Sequence, residues 1–282
     1  MSWVFLTLIY GLLKGAREVV KKESLKKSSV VEVLFFYTLF GFLICIPASK
    51  DLASVDVSYL PYVFIKSFVI FIAWILSFRA IKYLPISVYG ILDLSRVLFA
   101  TLLGVLVMGE TIGAMQGAGL ILVAAGLIML KRRKSEASED VKPIIVVLAL
   151  ISCMLNAVSG LLDKILTQYI TPSQLQFYYM LFLTLLYLAY LIIDKSEVSL
   201  KRAATNYWIL LLAIMFVIAD KALFVANSNP DSKITVMTLV KQSGCIMTIL
   251  AGKFIYKEKN MLHKFVCAVI IIVGICVAVL AQ

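Results

Sequence analysis

Charged residues are scarce in this sequence, and their scarcity argues against an ordinary soluble domain. Only 15% of the 282 residues are charged, 62% are hydrophobic, and the mean hydropathy is +1.00. Soluble domains contain about a quarter charged and about half apolar residues. The formal net charge of +11 is carried by short basic clusters between apolar runs. This placement is typical of the loops of a membrane protein and not of a nucleic-acid-binding face.

Residues that commonly bind metals or carry catalysis are also few. His263 is the only histidine. The cysteines lie inside apolar runs without metal-ligand spacing: Cys45, Cys153, Cys245, Cys267 and Cys276. We therefore expect packing roles for the cysteines, no disulfide, no metal and no cofactor. Because no nucleophile motif and no G-x-x-x-x-G-K phosphate loop is present, neither an enzyme nor direct drive by ATP is supported.

Long apolar runs fill most of the chain, and a membrane-spanning helix needs about 20 such residues. The runs do not alternate, which makes strands improbable. The apolar N-terminus lacks a basic flank and is expected to be the first span, not a cleaved signal peptide. The sequence predicts an all-α integral membrane protein with ten transmembrane helices: 2–20, 29–48, 60–80, 84–107, 111–131, 143–168, 172–194, 205–226, 232–255 and 261–281.

The two halves of the chain resemble each other. A shift of 148 residues places Ser95 on Ser243, and without a gap it also aligns three further informative pairs: Gly104 with Gly252, Glu110 with Glu258, and Gly126 with Gly274. We predict two five-helix domains, 1–131 and 143–282, joined by the polar linker 132–142. Since five is an odd number, the second repeat is expected to be inverted relative to the first, around a central cavity.

Basic residues mark the expected cytoplasmic side. Counted with the three residues at each adjoining span end, the loops after the odd-numbered spans carry 17 Lys and Arg residues, whereas those after the even-numbered spans carry only Lys50 and Lys233. The positive-inside rule therefore places the 132–142 linker in the cytoplasm and both termini outside a cell membrane.

One stretch resembles a known family. The run Ala80-Ile-Lys-Tyr-Leu-Pro85, Ser87, and the small-residue turn Gly109-Glu110 before a Gly-rich helix are similar to the EamA-type repeat of the drug/metabolite transporter superfamily. The second copy keeps Glu258 but has Lys257 where Gly109 stands. This resemblance implies a ten-helix basket that works by alternating access, with both termini in the cytoplasm, opposite to the charge count. Its members carry amino acids, nucleotide sugars, sugar phosphates, choline and other metabolites.

Charged residues inside the expected spans are candidate site residues. A charge near the bilayer centre costs roughly 2.5–3.5 kcal/mol of insertion free energy unless it is paired or faces a water-filled cavity. Asp93 and Arg96 share a helix face and can pair. Lys241 lies at the repeat position equivalent to Asp93, so it is expected either to bridge Asp93 or to present its ammonium to the cavity. We expect Arg96 and Lys241 to bind an anionic group, with Asp93 neutralising them in the empty state.

The remaining interior charges support narrower expectations. Asp220 and Lys221 are neighbours on one helix, so one is expected to face the cavity and the other an adjacent helix. Lys66 and Lys253 are expected to extend to the membrane surface, and Lys14 to neutralise Glu18. Gate or coupling roles, with interfacial anchoring as the alternative, are expected for Arg17, Glu18, Asp163 and Lys164. Two aromatic residues are candidates for the cavity wall, with packing as the alternative: Trp74 and Tyr89.

Basic residues outnumber acidic residues in the expected interior, which favours an anionic or zwitterionic substrate over an organic cation. The leading hypothesis is a secondary transporter of a small polar metabolite such as an amino acid, within membrane lipids and with possible proton or exchange coupling. One alternative is an exchanger of a phosphorylated metabolite or lipid-linked phosphate, with Arg96, Lys241 and Lys221 as phosphate ligands. Another is a membrane enzyme or receptor that transports nothing.

Overall fold

The computed structural model describes residues 2–48, 54–108, 113–132, 142–193, 199–229, 232, 237 and 240–280. In these ranges the chain forms helices and turns and no β-strand. Gly109, Glu110 and residues 133–141 of the expected linker lie outside them. The helices are, in chain order, α1 (Ser2–Lys27), α2 (Val30–Cys45), α3 (Leu60–Tyr83), α4 (Ile86–Asp93), α5 (Arg96–Met108), α6 (Ala114–Arg132), α7 (Pro143–Leu166), α8 (Pro172–Ile193), α9 (Leu200–Thr205), α10 (Tyr207–Ser228), α11 (Gly244–Phe254) and α12 (Met261–Leu280).

Several helix starts are fixed by local side chains. Ser29 and Glu32 form a reciprocal capping box at the start of α2, and Pro143 and Pro172 begin α7 and α8. The start of α4 is different, because its cap comes from the other half of the chain. The Glu258 carboxylate accepts a hydrogen bond from the Ile86 backbone N–H at 2.6 Å and another from the Ser87 hydroxyl. Glu258 therefore positions α4 across the boundary between the repeats.

The described helices have the composition of a multi-pass membrane protein. Six apolar helical segments are long enough to cross a bilayer: Val57–Tyr83, Ile86–Leu103, Pro143–Leu166, Pro172–Ile193, Tyr207–Ser228 and Met261–Ala278. Three shorter helical segments are also apolar: Val30–Cys45, Ala114–Leu130 and Gly244–Phe254. α1 is 26 residues long but carries several buried charges. The structure thus confirms the all-helical architecture, whereas the count of ten spans stays a prediction.

The expected fourth span, 84–107, is interrupted at its centre. α4 ends at Asp93 and α5 begins at Arg96, with a turn at Leu94 and Ser95 between them. The backbone N–H groups of these two residues donate hydrogen bonds to the carbonyl oxygens three positions earlier, with N···O distances of 3.1 and 3.0 Å. In an α-helix the acceptor would be four positions earlier. We expected a continuous helix, because neither proline nor glycine marks this point in the sequence.

A turn of the same kind lies at the equivalent position of the second repeat. Gln242 and Ser243 form a turn before α11, and the backbone N–H groups of Ser243 and Cys245 also bond three positions back, at 3.1 and 2.9 Å. The 148-residue shift maps Leu94 and Ser95 onto these two residues. Both repeats therefore interrupt the same helix at the same point.

The contacts between the described helices are preserved when the two halves are exchanged. In this exchange α1 corresponds to α7, α2 to α8, α3 to α10 and α5 to α11. The contacts of α10 with α1 and α2 correspond to those of α3 with α7 and α8, and the contact between α1 and α11 corresponds to that between α7 and α5. The pairs α2–α8 and α6–α12 map onto themselves. This pattern is that of two repeats related by a two-fold operation, with α1 and α7 crossing into the opposite half.

Two helix crossings depend on glycine. A Cβ atom on Gly15 of α1 would overlap the backbone of Gly244 at the start of α11, and one on Gly119 of α6 would overlap the backbone of α12. Gly117, on the same helix as Gly119, has no neighbouring atom within 4 Å. Gly119 and Gly274 make this close approach instead, since they face each other across the α6–α12 contact.

Candidate functional site

Helix α1 delivers four charged side chains to the interior of the bundle. Lys14, Arg17, Glu18 and Lys21 are spaced three and four residues apart, and all four are buried. Glu18 pairs with Lys21 at 2.7 Å, while Lys14 pairs with Asp93 of α4. The expectation that Lys14 neutralises Glu18 was therefore wrong, because the tertiary packing brings a carboxylate from another helix to Lys14.

The first set of charges is the Asp93 group, which consists of Lys14, Asp93, Arg96 and Lys241. The Arg96 Nε lies 2.6 Å from the Asp93 Oδ1, which confirms the expected pair, and Lys14 occupies the other carboxylate oxygen. The ammonium of Lys241 lies 5.9 Å from the centre of the Tyr10 ring. In the described part of the chain, no carboxylate lies within ion-pair distance of this ammonium. The Asp93 group thus holds three bases and one acid.

Lys241 is not wholly isolated from negative charge. Among the carboxylates, Asp163 acts most strongly on the Lys241 ammonium through its electric field. Asp163 has a partner of its own, however, because the Lys66 ammonium lies 3.1 Å from its Oδ1. The direct Asp93–Lys241 bridge, which we kept open as an alternative, is not formed in this structure.

A narrow pocket lies among these residues. Its polar walls come from Lys14, Glu18, Asp93, Lys241 and Gln242, and Gly15, Gly90 and Gly244 bring the backbone close. Its centre has room for about one water molecule. A carboxylate entering this pocket would meet the ammonium groups of Lys14 and Lys241 at short range, beside the carboxylates of Asp93 and Glu18, which are already paired with Lys14 and Lys21.

The two helix interruptions border the Asp93 group. The Ser95 and Ser243 hydroxyl oxygens are buried there, and within the described chain neither has a hydrogen-bond partner. An unpaired buried hydroxyl costs about 1–3 kcal/mol. Since the two serines are equivalent in the repeats, each repeat places a buried hydroxyl beside the same charges.

The second set is the Asp163 group, which consists of Lys66, Asp163, Arg17 and Asp220. Lys66 is 1% exposed, and its ammonium lies 3.2 Å from the centre of the Tyr179 ring. We expected Lys66 to extend to the membrane surface, and that was wrong, because the face of α3 that carries it packs on α7. The Arg17 Nη1 lies 3.5 Å from the Asp220 Oδ1, and its guanidinium carbon lies 4.8 Å from the Phe216 ring centre. Two bases and two acids balance this group.

The aromatic candidates are both fixed by packing. Trp74 is buried, and its ring meets Phe216 perpendicularly at 5.1 Å, so it supports the ring on which Arg17 lies. The Tyr89 hydroxyl lies 2.6 Å from the Ser77 hydroxyl, and the Lys21 ammonium is 5.9 Å from its ring centre. Neither residue lines the pocket of the Asp93 group.

Two further expected site residues lie elsewhere. Lys164 donates a hydrogen bond to the Asn227 carbonyl at 3.4 Å, and Lys221 donates one to the Ser173 hydroxyl in a separate cleft. The phosphate-binding set of Arg96, Lys241 and Lys221 is therefore not assembled, since Lys221 points away from the other two.

Sequence reasoning missed Lys14 and Lys66 as members of these groups. The signal for Lys66 was its isolation, because it is the only charged residue between Leu60 and Phe78 of α3. The signal for Lys14 was its position between Gly11 and Gly15, which mark the face of α1 that meets another backbone. Both signals indicate a buried charge, but neither indicates the partner.

The fold and the buried charges define a multi-pass membrane protein of two helical repeats with a polar interior. The model of the EamA-like transporter family matches residues 1–132 and 143–280. The chain belongs to this family, whose members are transmembrane transporters of the drug/metabolite type and not enzymes. No curated protein matches the sequence. A solved structure described as "Crystal structure of protein" is similar in fold, with a TM-score of 0.69 and 17% identity over 99% of this chain and 97% of that chain.

Proposed function

We propose that this chain is a secondary transporter of a small anionic or zwitterionic metabolite, with an amino acid as the leading class. The observation that supports this most is the imbalance of the Asp93 group, in which three bases surround one acid. A buried surplus of positive charge is costly unless an anion joins it. A substrate carboxylate would supply that charge.

In the proposed empty state, Asp93 accepts both Lys14 and Arg96, as in this structure. An entering carboxylate binds Lys241 and competes with Asp93 for Arg96. The Ser95 and Ser243 hydroxyls are free to donate to the same carboxylate. If the substrate is a zwitterion, its ammonium group binds the Asp93 carboxylate oxygen that Arg96 has left. Each hydrogen bond to a charged group contributes roughly 1.5–3 kcal/mol.

The interruption of equivalent helices supports a site at mid-membrane. Broken helices expose backbone groups and bring side chains to the centre of inverted-repeat transporters, where alternating access needs the site. We propose that Asp93, Asp220 or Glu18 carries a coupling proton, or that substrate exchange drives the cycle. Arg17, Glu18, Asp163 and Lys164 remain the proposed gate residues.

The proposed orientation in a cell membrane places residues 132–142 in the cytoplasm, on the strength of the basic loops. A single cysteine at Ser135, in a variant whose five native cysteines are removed, should not react with an impermeant thiol reagent added outside intact cells. Ready labelling from outside would contradict this orientation.

Uptake into proteoliposomes tests the proposed function directly. Labelled amino acids, dicarboxylates, phosphorylated sugars and choline would be compared, with empty liposomes as the background. We expect uptake of an anionic or zwitterionic compound and none of choline. Transport of choline alone, or of none of these classes under a proton gradient or with counter-substrate inside, would contradict the proposal.

A further inference from the structure

A second cleft lies away from the Asp93 group, between α1, α2, α8 and α10. Its cavity volume is about 390 Å³, within the range of ligand pockets in proteins. Its walls are mostly apolar, and its lining includes Leu6, Cys45, Ser173, Val217, Lys221 and Val225. On α10, Ile218 and Val225 are 54% and 40% exposed. The cleft is therefore open along this face of the helix.

The polar end of this cleft lies near the ends of three helices. Cys45 is the last residue of α2 and Ser173 is the second residue of α8. Lys221 lies seven residues before the end of α10, which is about 10 Å along a helix. Its ammonium extends to the Ser173 hydroxyl at the first turn of α8. A lysine at this depth places its charge near the level of lipid headgroups, above an apolar groove.

Lys221 has no acidic partner among the described residues. In the described part of the chain no carboxylate lies within ion-pair distance of its ammonium, and the adjacent Asp220 is paired with Arg17 on another face of α10. An apolar groove with one uncompensated cation at headgroup level is complementary to an amphiphile with an anionic head. We propose that this cleft binds a membrane lipid with an anionic headgroup, with its acyl chains along α10 and its phosphate on Lys221 and Ser173.

The proposal gives Lys221 a role separate from the transported substrate, so it does not depend on the proposed function. One lysine near the membrane surface favours an anionic over a neutral lipid roughly fivefold. A zwitterionic lipid would fill the same apolar groove without this preference. A small phosphate compound would lack the apolar contacts that the walls offer.

Native mass spectrometry of the full chain in detergent tests this inference. The protein would be titrated with phosphatidylglycerol and phosphatidylcholine of identical acyl chains. We expect a roughly fivefold preference for phosphatidylglycerol in the wild type, its loss in Lys221→Gln, and its retention in Lys253→Gln. Lys253 is the matched control, because it is an exposed lysine without a carboxylate partner in the described chain, and its loss changes the net charge equally.

Two further measurements test whether the apolar groove and the acyl chains contribute to binding. Val225→Trp would fill the groove, and we expect it to reduce the binding of both lipids while the protein stays folded. Glycerol phosphate at the same concentration should not displace phosphatidylglycerol. An unchanged preference in Lys221→Gln would overturn the proposal, and so would displacement by glycerol phosphate, which would indicate a site for small anions.

Discussion

The Asp93 group and the Asp163 group lie in the same helical bundle, but they differ in their balance of charge. Lys66 with Asp163 and Arg17 with Asp220 form two pairs, whose distances are 3.1 and 3.5 Å. Around Asp93, Lys14 and Arg96 share a single carboxylate, and Lys241 has no ion-pair partner among the described residues. A balanced buried group is complete without a ligand, whereas an unbalanced one is stabilised by an added anion. The comparison supports the proposed binding role of the Asp93 group, whereas the charges of the Asp163 group balance each other without a ligand.

The helices that carry the two groups differ in the same sense. The Asp163 group lies on helices without a break at these residues, α1, α3, α7 and α10. The Asp93 group lies beside two interrupted helices, each with an unpaired serine hydroxyl. Interrupted backbone and unpaired polar groups reduce stability, and proteins keep such features where function requires them. The charge balance and the backbone breaks therefore both favour the Asp93 group as the substrate site.

The largest expected effect comes from breaking the balanced group. Lys66→Met leaves the Asp163 carboxylate buried without its partner, and we expect a loss of about 3–5 kcal/mol in the free energy of unfolding. Denaturant unfolding of the purified protein in detergent measures it. The double variant Lys66→Met/Asp163→Leu should regain most of the loss, because no buried charge is left alone. If the single variant is as stable as the wild type, the pair is not structural.

Removing the unpaired base should reduce transport without reducing stability. Lys241→Gln deletes a buried ammonium that has no ion-pair partner in the described chain, so the free energy of unfolding should not fall. Transport efficiency should fall roughly tenfold to a hundredfold, since a hydrogen bond to the charged substrate is lost. Uptake kinetics in proteoliposomes measure the change, with Lys253→Gln as the control. Near-normal uptake in Lys241→Gln would end the binding role of this residue.

A third prediction compares the glycines next to the two groups. Gly15→Ala should cost about 1–3 kcal/mol, because the new methyl group overlaps the Gly244 backbone beside the Asp93 group. Gly160→Ala, one turn before Asp163, should be neutral or stabilise by up to about 1 kcal/mol, since nothing lies within 4 Å. Thermal unfolding of both variants decides, and equal effects would contradict the close crossing of α1 and α11.

The smallest effect is expected from an ion pair outside both groups. Lys26 and Glu23 are 2.6 Å apart near the end of α1, and the Lys26 side chain is 56% exposed. Lys26→Gln should change the free energy of unfolding by less than about 0.5 kcal/mol and leave uptake unchanged. A loss of transport in this variant would show that net charge, and not the position of Lys241, governs the activity.

The sequence by itself determined the class of protein and much of its plan. Its apolar runs predict helices in a membrane, because a backbone in lipid must satisfy its own hydrogen bonds. The 148-residue shift predicts the two repeats. The pairing of Asp93 with Arg96 was also predictable, since residues three apart on a helix face the same side.

The tertiary structure alone decided which charges meet. Lys14 lies 79 residues from Asp93, and Arg17 lies 203 residues from Asp220. Helical periodicity indicates which face of a helix is polar, but it does not indicate which other helix covers that face. For the same reason Lys66 was expected at the membrane surface, and the phosphate-exchanger alternative placed Lys221 with Arg96 and Lys241. The turn at Ser95 was equally hidden, because it contains neither proline nor glycine. Gly244 follows Ser243 directly, but a single glycine inside an apolar run does not by itself predict a break.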